Sequence, residues 1–375
     1  MNRVLVVTND FPPRPGGIQT FVYELVSRLD PAQVVVYTSR WKGWEKFDAA
    51  QPFPVVREDT SVLLPTPRVR RRAQALMRTH ECSSVLFGAA APLGLLGPSL
   101  RSAGADRIVA LTHGHEAGWA QLPGPRYMLR RIGDGVDTVT YLGEYTRKRI
   151  ASALSPAAAD RMVQLTPGVD TEVFRPDAGG AEIRKRYGLG DRPVIVCVSR
   201  LMPRKGQDTL IRALPLVHRD VPDVALLLVG GGPYRNKLQK LAEASGTASD
   251  IIFTGSVSWP ELPAHYAAGN VFAMPCRTRL GGLDVEGLGI VYLEAAATGL
   301  PVIAGDSGGA PDAVASWGVQ TVLAHSNDSI IALELAELLN QPEKSRMIGE
   351  RGRRWIRESW NWHSRVTVLN ALLDL

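Results

Sequence analysis

The chain of 375 residues has little cysteine and no long apolar run, and each absence excludes something. Cys82, Cys197 and Cys276 are its three cysteines. They form no close pair and no metal-ligand spacing, so they read as reduced thiols of a cytosolic protein. No stretch reaches the ~18 apolar residues expected of a spanning helix. The first residues run directly into a strand-like segment, Arg3-Val4-Leu5-Val6-Val7-Thr8, which argues against a secretory leader. A Walker loop and an Asp-x-Asp pair are missing too, and the first glycine turn does not follow the G-x-G-x-x-G dinucleotide pattern.

With 45% hydrophobic and 21% charged residues, the composition is that of a globular protein, at this length of two domains. The net charge of +6 is unevenly placed: residues 1–170 hold 21 Lys/Arg against 15 Asp/Glu, and the remainder is balanced at 22 each. Arg68, Arg70, Arg71 and Arg72 open a segment running to Arg78. As a helix it gathers Val69, Ala73, Leu76 and Met77 near one face and arginines over the rest. Such a helix suits an anionic membrane surface. A solvated basic face is the plain alternative. Nucleic acid is the weakest reading, because no interleaved aromatics or nucleic-acid motif accompany the arginines.

Strand-like runs near 3–8, 33–38, 84–88, 107–112, 137–142 and 161–165 alternate with helix-like ones, the first near 18–29. A second series lies near 194–198, 224–229, 251–254, 271–274, 301–304 and 319–323. Val, Leu and Ile on both parities point to parallel strands buried on two faces. The expected fold is α/β, with two doubly wound parallel-sheet domains. Pro167 and Gly168 break the chain between them. The expected domains are 1–167, completed by a terminal helix over 360–375, and 168–359.

The most informative segment is Glu286-Gly-Leu-Gly-Ile-Val-Tyr-Leu-Glu294. Gly287 and Gly289 allow a tight turn, and a helix from Ile290 ends before Gly299 and Pro301. The N–H groups of Leu288, Gly289 and Ile290 then face outward at a helix start, which favours phosphate. Two carboxylates eight residues apart cannot share a proton, so each grips a different part of one ligand. A phosphate flanked by hydroxyls describes a nucleotide-sugar.

Other strand ends carry matching chemistry. Asp10 and the Gly16-Gly17 pair follow the first strand and precede a helix, where backbone N–H groups can cradle an anion. Arg200 and Lys205 follow the strand at 194–198 and suit a diphosphate whose leaving charge must be neutralised. Thr112-His113-Gly114-His115-Glu116 places two histidines at another strand end, and the residues alone do not choose between them. Gly230 reads either as a ligand-lining turn or as a helix cap. The loop over 275–285 leads into Glu286 and is long enough to be a substrate-binding element.

The Glu-x7-Glu spacing, the Arg200-x4-Lys205 pair, the Gly16-Gly17 loop and the closing Trp360-Asn-Trp362 segment together resemble the retaining family 4 glycosyltransferases of the GT-B fold. That resemblance covers essentially the whole chain. It implies two Rossmann-like domains facing a cleft, retention of configuration, and no metal or other cofactor. It also implies that Gly17 approaches the donor phosphate, Asp10 faces the acceptor, and His115 is the active-site histidine. Glu286 is implied to touch the transferred sugar and Glu294 the ribose, while the backbone around Ser256 and Val257 reads the base.

Two stretches are more specific: residues 276–294, and Leu122-Pro-Gly-Pro-Arg126-Tyr-Met-Leu-Arg130-Arg131-Ile-Gly. Both resemble the actinobacterial phosphatidylinositol monomannoside mannosyltransferases. GDP-mannose is the donor so implied, and a phosphatidylinositol mannoside on the inner face of the plasma membrane the acceptor. Leu288, where relatives often have Phe, departs mildly from the pattern. A transferase using a UDP-sugar or another acceptor is the nearer rival; a non-catalytic nucleotide-sugar-binding membrane protein is the further one.

Overall fold

The computed structural model describes residues 2–314, 321–323 and 327–375. The chain divides into two compact units, Met1–Pro167 with Trp362–Leu375, and Gly168–Asn361.

The first unit is built on seven parallel strands, β1 (Val4–Thr8), β2 (Val34–Ser39), β3 (Val55–Glu58), β4 (Ser84–Phe87), β5 (Arg107–Ala110), β6 (Thr138–Tyr141) and β7 (Val163–Gln164). Their order is β3-β2-β1-β4-β5-β6-β7, so the sheet winds one way from β1 and the other way from β4. Open sheets of this kind bind ligands outside the carboxyl ends of the strands at that reversal. Val4 pairs with Val34 on one side and Ser84 on the other, and every residue of β1 is buried. Burial on both faces explains the unbroken Val-Leu-Val-Val run.

Six of these strands match the expected runs; β3 was not expected. Its sequence, Val-Val-Arg-Glu, is half charged and half-buried at the sheet edge, where no full apolar face is required.

The arginine-rich segment forms a helix over Pro67–Thr79, started by Thr66 accepting from the Val69 N–H. Val69, Ala73, Leu76 and Met77 are its buried residues, and they join the core beneath β1, β4 and β5. Arg70, Arg71 and Arg72 are exposed, whereas Arg68 pairs with Glu58 of β3 at 2.5 Å. The terminal helix Trp362–Leu373 packs on the same unit: Ser84 Oγ donates to the Leu373 carbonyl at 2.6 Å, and Arg28 lies 4.8 Å over the Trp362 ring.

The second unit repeats the plan with β8 (Val194–Val198), β9 (Ala225–Val229), β10 (Ile251–Gly255), β11 (Val271–Met274), β12 (Val302–Gly305) and β13 (Thr321–Leu323), all parallel. The order is β10-β9-β8-β11-β12-β13, and the reversal falls between β8 and β11. All six lie where strands were expected, although residues 319 and 320 of the last expected run fall outside the described residues. Among the described residues no helix is long and apolar enough to cross a membrane.

Candidate active site

In the first unit the candidate residues follow β1 and β5, beside the reversal. Asp10 Oδ1 accepts from Gln19 Nε2 at 2.6 Å, and the Asp10 N–H donates to Thr8 Oγ1 at 2.8 Å. This bracing fixes Asp10 against the helix Gly17–Val26, whose first turn begins at Gly16-Gly17. Asn9 adds a second brace, exchanging hydrogen bonds with both backbone groups of Leu63.

The two histidines separate clearly. His113 Nε2 lies 2.5 Å from the Gly88 carbonyl at the end of β4, and the ring packs edge-on against Phe21. Burial holds its pKa below the ordinary histidine value, against the opposing pull of Glu116. The His115 side chain is 41% exposed, with Nε2 3.3 Å from Oε1 of a fully buried Glu116. The other oxygen of Glu116 accepts from the His113 N–H at 3.0 Å. His113 is thus a fixed part of the wall, and His115 is the histidine open to a ligand.

In the second unit the strand-end loops after β8 to β11 supply the candidates. Arg200 is exposed, and among the described residues its guanidinium has no carboxylate partner. Its backbone is held from below by buried Gln207, whose Nε2 donates to Ser199 Oγ at 2.7 Å and to the Arg200 carbonyl at 3.2 Å. Gly230 presses on the same segment from the side. A Cβ there would lie 2.2 Å from the Ser199 carbonyl oxygen, so only glycine permits the approach. The turn it begins is therefore a brace for the Arg200 loop. Ser256 and Val257 follow β10, with Ser256 Oγ beside Gly231.

Lys205 is held in place within the protein. It is 9% exposed, and its Nζ donates to Glu286 Oε2 at 2.6 Å, with Glu286 6% exposed. The reason is a shared need: two charges leaving water must neutralise each other or pay a large desolvation penalty. Glu286 is held from behind by the loop after β12, where Ser307 Oγ accepts from the Glu286 N–H at 3.4 Å and the Gly309 N–H donates to the Glu286 carbonyl at 2.8 Å.

Gly289 caps the helix Ile290–Ala297 at φ +83°, the left-handed conformation that glycine adopts freely. Among the described residues no protein acceptor takes the N–H groups of residues 288–290. Glu294 lies in the second turn and is 9% exposed. Burial pushes its pKa up to about 7, opposed by a 2.6 Å hydrogen bond from Tyr266 Oη. The two glutamates have separate partners in the protein, Lys205 and Tyr266. Burial likewise raises the thiols of Cys197 and Cys276 to about 12, which leaves both as inert protonated groups.

The loop over 275–285 is anchored and clasped. Arg277 holds Asp208 through two hydrogen bonds of 2.8 and 2.9 Å, and Arg279 pairs with Asp284 at 3.2 Å. Among the described residues no group of three or more His, Cys, Asp or Glu is placed to hold a metal ion.

Gln207, Ser307, Gly309 and Tyr266 escaped sequence reasoning. Gly308-Gly309 after β12 carried the same signal as Gly16-Gly17, a glycine pair between a strand and a helix. Gln207 and Tyr266 carried none.

A helix start and two cations thus lie at the strand ends of a doubly wound sheet, with carboxylates alongside. The chain matches the family model Glycosyltransferase Family 4 over residues 15–173 and Glycosyl transferases group 1 over residues 181–355, and it belongs to this glycosyltransferase family. Over 376 residues it is 52% identical to the GDP-mannose-dependent alpha-(1-6)-phosphatidylinositol monomannoside mannosyltransferase of Mycolicibacterium smegmatis, covering 99% of this chain and 98% of that protein. The protein of the same description from Mycobacterium tuberculosis is 53% identical over 380 residues, covering 100% and 98%. In fold the chain is similar to Anabaena Alr3699/HepE in complex with UDP, at a TM-score of 0.82 and 18% identity over 99% of each chain. The architecture is the GT-B fold.

Proposed function

We propose that this enzyme transfers mannose from GDP-mannose to phosphatidylinositol monomannoside, forming an α-1,6 link with retention of configuration. The observation that carries the reading is its 52–53% identity, over nearly the full length, to relatives of that described activity. The candidate residues are consistent with it, and none of the expected functional groups is missing.

In this reading the second unit takes the donor diphosphate through Arg200, Lys205 and the free N–H groups at residues 288–290, and Gly16 and Gly17 of the first unit are assigned to phosphate by the resemblance. Glu286 is assigned to the mannose, Glu294 to the ribose, and the backbone near Gly230, Ser256 and Val257 to the base; His115 of the first unit is assigned to a substrate hydroxyl. Arrival of the diphosphate gives Lys205 a second anion, which releases Glu286 to accept sugar hydroxyls. The bond from C1 to the diphosphate breaks with its electron pair leaving on oxygen. The acceptor hydroxyl, faced by Asp10, attacks from the same side and passes its proton to that oxygen. Such preorganised charges act where negative charge develops. The reaction is assigned no metal. The exposed arginines of the helix Pro67–Thr79 are assigned to the anionic inner leaflet, where a lipid acceptor lies.

Turnover of GDP-mannose with excess EDTA, in lipid extracts with and without the monomannoside, tests this reading. Mannose transfer that depends on the monomannoside is expected. Donor hydrolysis without lipid product would overturn the acceptor, and activity with UDP-sugars alone would overturn the donor.

A further inference from the structure

Tyr266 lies in the short helix Leu262–Ala267, is completely buried, and has a polar group that a core residue does not need. Its ring is fixed from two sides, edge-on to Phe174 at 5.7 Å and tilted against Phe272 at 5.8 Å. Phe272 in turn packs edge-on against Tyr292 at 5.9 Å. Tyr292 Oη donates to the Met274 carbonyl at 2.7 Å, so the aromatic row is tied to β11. Tyr266 Oη donates to Glu294 Oε2 at 2.6 Å. Oε1 of Glu294 has no protein donor among the described residues, and the residue keeps a small exposed surface. One carboxylate oxygen is therefore anchored in the core and the other is left for a ligand.

We infer that Tyr266 is a positioning residue for the nucleotide's ribose: it fixes Glu294 so that the free carboxylate oxygen meets the ribose hydroxyls. The inference rests on the assignment of Glu294 to the ribose made above. A carboxylate buried without a donor would turn toward solvent or take up a proton, and either change removes the acceptor. The tyrosine hydroxyl opposes both. Burial drives the Tyr266 phenol well above its ordinary pKa, so it stays a donor throughout the working pH range. The other titratable group facing the pair is Cys197 of β8, which is protonated; Lys205 and Glu286 neutralise each other.

Tyr266→Phe keeps the ring and its aromatic contacts and removes only the hydroxyl. Binding of GDP and of 2′,3′-dideoxy-GDP to both proteins at pH 8, by calorimetry, reads the effect, with melting temperature as the check on folding. The expected result is about tenfold weaker GDP binding by the variant, with the dideoxy nucleotide bound equally by both. The donor KM rises in step while kcat at saturating donor stays within a few-fold. The pH below which GDP binding weakens also moves upward, because Glu294 protonates more readily. Glu294→Gln supplies the second arm: adding Tyr266→Phe to it causes no further loss. Equal weakening for both nucleotides, no weakening, or full additivity with Glu294→Gln would overturn the inference. If the protein prefers UDP, the same comparison with UDP and its dideoxy form applies. Tyr266 then keeps its role while the GDP-mannose reading fails.

Discussion

Lys205 Nζ and Glu286 Oε2 lie 2.6 Å apart, joining the loop after β8 to the loop after β11 across 81 residues of sequence. Both side chains are nearly dry, so the pair is a charge-neutral unit until an anionic ligand arrives. Lys205→Ala is expected to lower kcat on the order of 100-fold by removing a preorganised charge from the leaving diphosphate. It also strands a buried carboxylate, at a cost of about 3–5 kcal/mol in stability. Initial rates at saturating donor, measured alongside thermal melting, check both effects. Near-normal turnover would remove Lys205 from the mechanism.

Arg200 gives the opposite pattern because its exposed guanidinium has no carboxylate partner among the described residues. Arg200→Ala is expected to leave the melting temperature unchanged. Its kcat/KM for the donor should fall by about two orders of magnitude, the loss typical of one charge-stabilising contact. A destabilised variant would contradict the exposed, unpaired guanidinium described above.

In its proposed role at the ribose, Glu294 sets a pH dependence for nucleotide binding. Its pKa in the folded protein is raised to about 7, above the ordinary carboxyl value, because it is buried. The ionised form, the better hydrogen-bond acceptor, is lost as pH falls through 7. GDP affinity is therefore expected to weaken by up to about tenfold per unit below that point. Stability runs the other way. A raised acid pKa favours the protonated folded state, so its contribution is full below the unfolded pKa and is lost as pH rises toward 7, at about 1 kcal/mol per unit. Glu294→Gln removes both dependences, and GDP titrations and melts from pH 5 to 8 check the pair of signs.

The helix Pro67–Thr79 separates packing from charge, since its buried residues are apolar and Arg70, Arg71 and Arg72 point to solvent. Reversing those three to Glu should spare the fold and the nucleotide site. Sedimentation with anionic vesicles is expected to fall by two orders of magnitude or more, at about 1 kcal/mol per arginine. Raising the salt should weaken wild-type binding in the same direction. Arg68 is the poorer choice for this test because it already pairs with Glu58.

The two sheets were legible because strands buried on both faces have no choice but to be apolar along their length. β3 was not, since an edge strand of Val-Val-Arg-Glu meets no such demand. The Arg200, Lys205 and Glu286 loops were legible as strand ends with unusual chemistry. The contact between Lys205 and Glu286 was not, because sequence spacing does not say which loops of a sheet become neighbours. The histidine pair shows the same limit. His113 and His115 are equivalent as letters, and only the Gly88 carbonyl at the end of β4 distinguishes the fixed ring from the open one. Tyr266 lay furthest from view: a lone tyrosine in a short helix has no period and no motif, and its meaning appears only with Glu294 at 2.6 Å.

The most direct test of the central claim is the structure of the product made from purified phosphatidylinositol monomannoside and GDP-mannose. Nuclear magnetic resonance of the isolated mannolipid should show one added mannose, α-configured at its anomeric carbon and attached through O6. A β-linked product, another linkage position, or no mannolipid at all would contradict the account.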